Sequence, residues 1–425
     1  MDEHSRRTLL AAGLLAGVGT VAACTGTPDA EPSAARRRDE FDPADWESVR
    51  AQFALDPELV HLAAYVFAAH PRPVREAVER HRTGMDRDAE HYVQQNVRAE
   101  DDVRAAAATY LNTSAERIAL TDSTTMGLGL LYSGLRLRRG QEILTTEHDF
   151  VATHEAVRLA GRRTGAAVRR VRLYDRPEDA DAAEIVRRLR AAIRPATRVI
   201  AVTWVHSGTG VRLPLAEIGQ AVAAANAGRA PADRALLCVD GVHGFGAVDA
   251  DIDDLGCDFL ATGTHKWLFG PRGTGLLWGR SWDALDALIP TFSGGETPGA
   301  AYTPGGYHTF EHRWALREAF EFHQAIGRRR IAAQITEQAS RLKEGLARID
   351  SVRLVTPRSP DLSAGIVCCA VESMDAFSAS AALRESHGIS ASVTPYAEQF
   401  LRFGPSIVTT PEQIDRTLDA VEALG

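Results

Sequence analysis

Cysteine is scarce in this chain, with five among 425 residues. Cys24, Cys238, Cys257, Cys368 and Cys369 show no CxxC and no Cys/His spacing, which excludes a zinc ribbon or finger and requires no disulfide framework. Cys238 lies in the apolar run 235–239 and the vicinal pair in 364–371, so buried strand thiols are expected. Basic excess is missing too. Lys and Arg number 48 against 56 Asp and Glu, a net charge of −8, and the Arg clusters at 36–38 and 328–330 are short. Such a balance argues against a nucleic-acid partner. The apolar stretch Ala11 to Ala23 is too short and too rich in Gly and Ala for a spanning helix, which needs about 20 strongly apolar residues. No internal repeat or long low-complexity tract occurs. What is present, 45% hydrophobic and 24% charged residues, is ordinary globular composition with length enough for two cores.

The first forty residues read differently from the rest. Ser5-Arg6-Arg7-Thr8-Leu9-Leu10 precedes the small, apolar run Ala11 to Ala23, the shape of an export signal, and the Arg pair suggests the twin-arginine route. Val21-Ala22-Ala23-Cys24 resembles a lipobox. Two readings stay open: Cys24 is the lipid-modified first residue of the mature protein, with 25–40 as a tether, or the signal is simply cleaved. Either reading predicts a periplasmic or cell-surface protein whose membrane contact is at most a lipid anchor.

From Val60 to Leu288 short apolar runs alternate with helix-like segments, the pattern of an α/β domain with a largely parallel sheet. Strands are expected at Ile118 to Leu120, Glu142 to Thr145, Val168 to Leu173, Arg198 to Thr203, Leu236 to Asp240, Phe259-Leu260 and Gly275 to Trp278. Helical spacing marks Thr125 to Leu135, Thr153 to Thr164, Ala182 to Ile193 and Leu215 to Ala225. A Gly/Pro-rich loop at 291–306 leads to a long helix over about 313–350, broken near Gly327. Strands near 365–371, Ile389 and Leu401 and helices at 376–386 and from Pro411 follow. The expected organisation is a signal at 1–23, a tether at 24–40, a segment at 41–59 joining the small domain, a large domain at 60–290, and an interdomain loop, long helix and small α+β domain at 291–425.

Five motifs can carry chemistry. In Thr262-Gly263-Thr264-His265-Lys266-Trp267-Leu268-Phe269-Gly270-Pro271-Arg272-Gly273-Thr274-Gly275 a lysine stands among Gly, His, Trp and Leu, where desolvation lowers its pKa and favours Schiff-base chemistry. Cys238-Val239-Asp240-Gly241-Val242-His243 ends an apolar strand in an acid. Alone, that acid could merely cap a following helix. Leu120-Thr121-Asp122-Ser123-Thr124-Thr125 places hydroxyls at a helix start, as anion ligands or as plain N-caps. Thr146-Glu147-His148-Asp149 and Trp204-Val205-His206-Ser207 follow strands. Leu401-Arg402-Phe403 offers a guanidinium suited to a bidentate carboxylate contact, although most arginines are solvated.

Together these stretches, over about residues 60–425, resemble the class V aminotransferases, the group of pyridoxal-phosphate enzymes of type I aminotransferase fold that includes cysteine desulfurases and isopenicillin N epimerase-like proteins. The resemblance implies an α/β large domain with a mostly parallel seven-stranded sheet, a smaller α+β domain and a homodimer. It implies that Lys266 holds pyridoxal 5'-phosphate as a Schiff base, that Asp240 pairs with the ring nitrogen and that His148 lies flat over the ring. His265, Thr124 and Thr125 fall where the phosphate is held, and His243 near the ring oxygen. Arg402 falls where the substrate α-carboxylate is bound. Ser207 stands where desulfurases carry Asn beside the cofactor. Gly263 replaces the usual phosphate-binding Ser, so Thr264 or Thr262 is expected to substitute. The neighbouring subunit's Gly-Thr phosphate contact should lie after Phe310-Glu311, where this chain has His312-Arg313-Trp314, so Arg313 is expected to serve instead. Residues 390–400 contain no Cys, which argues against desulfuration through a persulfide. Transamination is the leading expectation for the amino acid substrate. Epimerisation or carbon–sulfur lysis is the alternative, and a non-catalytic ligand-binding scaffold is the third.

Overall fold

The computed structural model describes residues 41–291 and 297–425, so Arg6, Arg7 and Cys24 lie outside the described residues. Phe41–Gly425 form one compact unit. Its centre is a seven-stranded sheet made from the seven apolar runs expected to be strands. After β1 (Val60–His61), its members are β2 (Ile118–Thr121), β3 (Glu142–Thr146), β4 (Ala167–Val171), β5 (Thr197–Thr203), β6 (Leu236–Asp240), β7 (Phe259–Gly263) and β8 (Gly275–Gly279). They run in the order β2-β8-β7-β6-β5-β3-β4. Pairings from β7 through β6, β5 and β3 to β4 are parallel, whereas β8 is antiparallel to both neighbours.

Strand alternation explains the layers. Leu144, Ile200, Val202, Leu237 and Val239 face one core, while Ile143, Val199, Ala201 and Cys238 face the other. Helices over Ala99–Leu111, Ala182–Ala192 and Leu215–Ala225 cover the first face through Val103, Leu189 and Ile218. Thr124–Gly134 and Val151–Thr164 cover the second through Leu131 and Val157. A sheet buried on both sides needs continuous apolar strands, and β5, buried at all seven residues, shows it.

The C-terminal part builds a four-stranded antiparallel sheet, β12-β13-β10-β9, from β9 (Val352–Leu354), β10 (Val367–Val371), β12 (Ser392–Val393) and β13 (Leu401–Phe403). Helices Arg328–Leu346, Ala376–His387 and Pro411–Glu422 pack on it through Leu342, Leu383 and Ile414. The long helix expected over about 313–350 is broken at Gly327 as expected, and a further interruption at Ala315 sets off a short helix at Phe310–Trp314. Val60 does not enter the large sheet: β1 pairs in parallel with β11 (Ile389–Ser390). Phe53 and Val49 share a core with Trp267, Ile335 and Ile366. The loop carrying the lysine is thereby wedged between apolar side chains from several parts of the unit.

Candidate active site

Parallel strands of an open α/β sheet present their carboxyl ends to one crevice, and here β2, β5, β6 and β7 do so. A cavity of about 310 Å³ opens there, lined by Thr124, Thr125, Ser207, Asp240, His243, His265, Lys266 and Arg402. Asp240 ends β6 and is almost fully buried. Its Oδ1 accepts the Val242 N–H at 3.1 Å and its Oδ2 the Thr153 hydroxyl at 3.4 Å. Burial pushes its carboxyl up to about 6, against the pull of that N–H and of the Lys266 charge. Lys266 follows β7. Burial brings its ammonium down to about 8, with Asp240 opposing the shift and Arg402 adding to it. His243 accepts from Trp267 Nε1 at 3.4 Å, and burial beside the Lys266 and Arg402 charges holds it neutral.

At one end the cavity is a cradle of unmet donors. Ser123 caps Thr124–Gly134 by accepting the Met126 N–H, and the N–H groups of Thr124 and Thr125 lie in the first turn, where no intrahelical acceptor exists. Thr124 Oγ1 and His265 Nδ1 are buried without a hydrogen-bond partner among the described residues. Gly263 keeps this space open, because a Cβ there would meet His265 Cε1 at 2.9 Å and Thr124 Oγ1 at 3.1 Å. At the other end Arg402 is fixed. Its Nη1 donates to the Ser207 carbonyl at 3.0 Å, its Nε to Ser392 Oγ at 3.1 Å, and its guanidinium lies 4.8 Å from the Tyr65 ring centre. Tyr65 OH donates to the Arg402 carbonyl at 2.7 Å.

The sequence model of class-V aminotransferases matches residues 71–416. The chain belongs to the class-V aminotransferase family. Isopenicillin N epimerase of Streptomyces clavuligerus is 32% identical over 409 residues, which cover 90% of this chain and 98% of that protein. A probable cysteine desulfurase of Xylella fastidiosa is 29% identical over 336 residues, 73% of this chain and 77% of the relative. Among solved structures, a C-DES variant with glycine covalently linked to its pyridoxal-phosphate cofactor superposes with a TM-score of 0.79 at 22% identity, covering 88% of this chain and 99% of that one. That likeness shows the type I fold.

As a class-V family member the protein is a pyridoxal-phosphate-dependent enzyme. The cavity fits that cofactor. Thr124 and His265 offer unsatisfied buried polar atoms that suit a phosphate, and an acid and a lysine line the same cavity, as the group's ring nitrogen and aldehyde would require.

Four expected ligands of the class-V site have other partners within this chain. His148 does not line the cavity: its ring stacks on Tyr174 at 3.8 Å and its Nε2 accepts the Leu173 N–H at 3.2 Å. Phe150, two residues on, is the ring that reaches the cavity from this loop. Thr264 turns away, its hydroxyl 2.5 Å from that of Thr274, which in turn donates to the Pro271 carbonyl; this ties the ends of the lysine loop together. Thr262, the other substitute considered, donates to the Gly263 carbonyl. Arg313 is committed within its own chain. It donates to Asp122 at 2.8 Å, to Glu100 at 3.2 Å and to His308 Nε2 at 2.7 Å, so its charge is met without a phosphate. Tyr65, Phe67 and Phe150 were not legible as site residues, because aromatic side chains in loops carry no spacing signal of their own.

Proposed function

We propose that this enzyme moves the proton on the α-carbon of an amino acid, with epimerisation as the net reaction. The observation that carries it is Lys266, a lysine with its pKa lowered to about 8 that faces, in one cavity, a buried acid and a fixed arginine. The bound cofactor supplies a conjugated ring that withdraws electrons from the α-carbon of an attached amine. Everything else falls to the protein. Thr124, Thr125 and His265 hold the phosphate. Asp240 keeps a proton on the ring nitrogen. Arg402 would take the substrate carboxylate in a bidentate contact, and Lys266 would remove the α-proton on its own face, the inverting proton arriving from a second donor on the opposite face. Phe150 and Phe67 narrow the site against water. Ser207 and His243 border the same space.

Likeness to an isopenicillin N epimerase along nearly its whole length supports epimerisation over the other outcomes. Transamination is the second reading, favoured because Lys266 is the one lysine lining the cavity and a single base suffices for it. Persulfide desulfuration is disfavoured. Among the described residues the free cysteines are Cys238, Cys257, Cys368 and Cys369, all buried, with burial raising each thiol pKa. A panel of L-amino acids incubated in D₂O decides between the readings. Epimerisation gives α-deuterated D product with no acceptor, and transamination gives product only when a keto acid is added. Absence of α-deuterium exchange with every member of the panel sinks the proposal and leaves the binding scaffold.

Three further proposals rest on sequence and family. The division into a large cofactor-binding domain at 60–290 and a C-terminal part at 291–425 holding the small domain is supported by the seven-stranded sheet lying within the first range and the four-stranded sheet within the second. A homodimer is supported by family membership, and sedimentation tests it. Export by the twin-arginine route, to the periplasm or cell surface with Cys24 lipidated, is supported by Arg6-Arg7 and the run ending in Cys24.

A further inference from the structure

Between β12 and β13 the chain turns back on itself, with Thr394 N–H donating to the Phe400 carbonyl at 3.0 Å and Phe400 N–H to Thr394 Oγ1 at 2.9 Å. Pro395, Ala397, Glu398 and Gln399 in this loop are exposed. Pro395 borders the cavity, and Tyr396 beside it is half-buried. Its hydroxyl lies 2.6 Å from Ser207 Oγ, and its ring packs edge-on to Phe150 at 6.0 Å between centres. The ring also lies on the backbone after Ser207: a Cβ on Gly208 would meet Tyr396 carbons at 2.9 Å. The Ser207 carbonyl, meanwhile, is the acceptor that holds Arg402 Nη1. One residue thus receives the tyrosine on its side chain and the arginine on its backbone.

We propose that Tyr396 is a positioning residue, its hydroxyl clamping Ser207 so that the Ser207 carbonyl aims Arg402 into the cavity and sets how well a carboxylate binds there. The inference rests on the reading of Arg402 as the carboxylate anchor. Arg402 has five N–H donors; the Nε–H and one Nη1–H are taken by Ser392 and Ser207, which leaves the second Nη1–H and those of Nη2 to meet a ligand. A guanidinium binds a carboxylate by two parallel bonds only when its plane is held, and a small rotation removes one of them. Burial keeps the Tyr396 hydroxyl protonated, so it acts as a hydrogen-bonding strut and not as a charge.

The test uses cofactor-loaded wild type, Tyr396→Phe, Ser207→Ala and the double variant. Two probes are titrated by the change in the visible cofactor band: L-2-aminobutyrate, and propylamine, which lacks the carboxylate. Tyr396→Phe keeps the ring on Gly208 and Phe150 and removes only the hydroxyl. The expected result is aminobutyrate binding weakened by about 5- to 10-fold, as for loss of one hydrogen bond, with propylamine unchanged. Ser207→Ala should do the same, and the double variant no more, because both remove one bond. In parallel, phenylglyoxal labelling of Arg402, mapped by mass spectrometry without any amine present, should be several-fold faster in all three variants. Equal weakening of both probes, additive losses, or an unchanged labelling rate overturns the proposal. Should wild type fail to prefer aminobutyrate over propylamine, the carboxylate-anchor reading falls, and the labelling rate still decides whether Tyr396 positions Arg402.

Discussion

Lys266 and Asp240 share one cavity, and burial drives each toward its neutral form. For the lysine this has a kinetic consequence. With its pKa near 8, roughly a tenth of the amine is free at pH 7, against well under a thousandth for an ordinary lysine. Cofactor capture by the cofactor-free protein should therefore rise about tenfold per pH unit up to about pH 8 and then level off, as stopped-flow absorbance would show. A rate still climbing at pH 10 would mean that Lys266 titrates like a surface amine. For the acid the consequence is stability. Its carboxyl sits at about 6 in the folded chain against 3.8 for the unperturbed group, so the folded state holds the proton more tightly than the unfolded one. That contribution is fully present below 3.8 and is lost as pH rises to 6. Cofactor-free Asp240→Asn should accordingly be more stable than wild type by about 1–3 kcal/mol at pH 7, the gap closing on acidification to pH 4. The same variant should lose about 100-fold or more in turnover once loaded with cofactor, while retaining it. Lys266 and Asp240 were legible in the sequence because each sits in a glycine-bounded strand end that little else would require. The ring over the site was not. His148 and Phe150 are equally placed by spacing, and what turns His148 outward is the Leu173 N–H and the Tyr174 face, contacts some twenty-five residues away in the chain.

Short elements are tied together beside the phosphate end of the site, and Arg313 shows how. It lies in the helix Phe310–Trp314 and reaches Glu100 in Ala99–Leu111 and Asp122 just after β2, beside the phosphate cradle. Burial pushes the Glu100 carboxyl up, but the His308 hydrogen bond and the charges of Arg313 and Arg104 overcome it and hold the carboxyl down at about 2. A carboxylate with depressed folded pKa adds stability that is present above its unfolded value of 4.5 and lost as pH falls toward 2. Arg313→Met should leave Glu100 short of a cation in the interior and cost about 3–5 kcal/mol at pH 7. Urea melts at pH 7 and pH 3 test this, because the deficit should shrink at the lower pH, where Glu100 in the variant is protonated. Cofactor affinity should change less than stability, whereas a direct phosphate contact predicts the reverse. Elements themselves were largely readable: all seven strands and the helices between them follow from apolar runs and helical spacing. Their order was not. Nothing local in Gly275–Gly279 says that it inserts antiparallel between β2 and β7, and nothing in Val60–His61 says that its partner is Ile389, over three hundred residues later.

At the scale of the whole molecule, Phe41–Gly425 close a single compact unit whose shared core runs from Val49 and Phe53 through Trp267 to Ile366. The export reading concerns only residues before it. Those two facts separate cleanly. If the first forty residues serve targeting alone, a chain beginning at Phe41 should bind pyridoxal phosphate with the affinity of the full chain and melt within about 2 °C of it, since every described core residue is kept. Cutting further, to Val60, should behave quite differently. It deletes the buried Val49 and Phe53, together with the Phe53 ring contacts to Phe269 beside the lysine loop at 5.0 Å and to Phe322 at 5.9 Å. Loss of two buried apolar side chains of this size costs about 3–6 kcal/mol in transfer energy alone, enough to lower the melting temperature by many degrees and to loosen the lysine. Export is then tested on the full chain: Arg6→Lys with Arg7→Lys should retain the protein inside the cell with its cofactor bound, and Cys24→Ser should abolish lipid labelling while leaving the melting temperature unchanged. A Phe41 chain that cannot hold cofactor, or a double-lysine variant still found outside the cell, would show that the leading segment does something other than targeting.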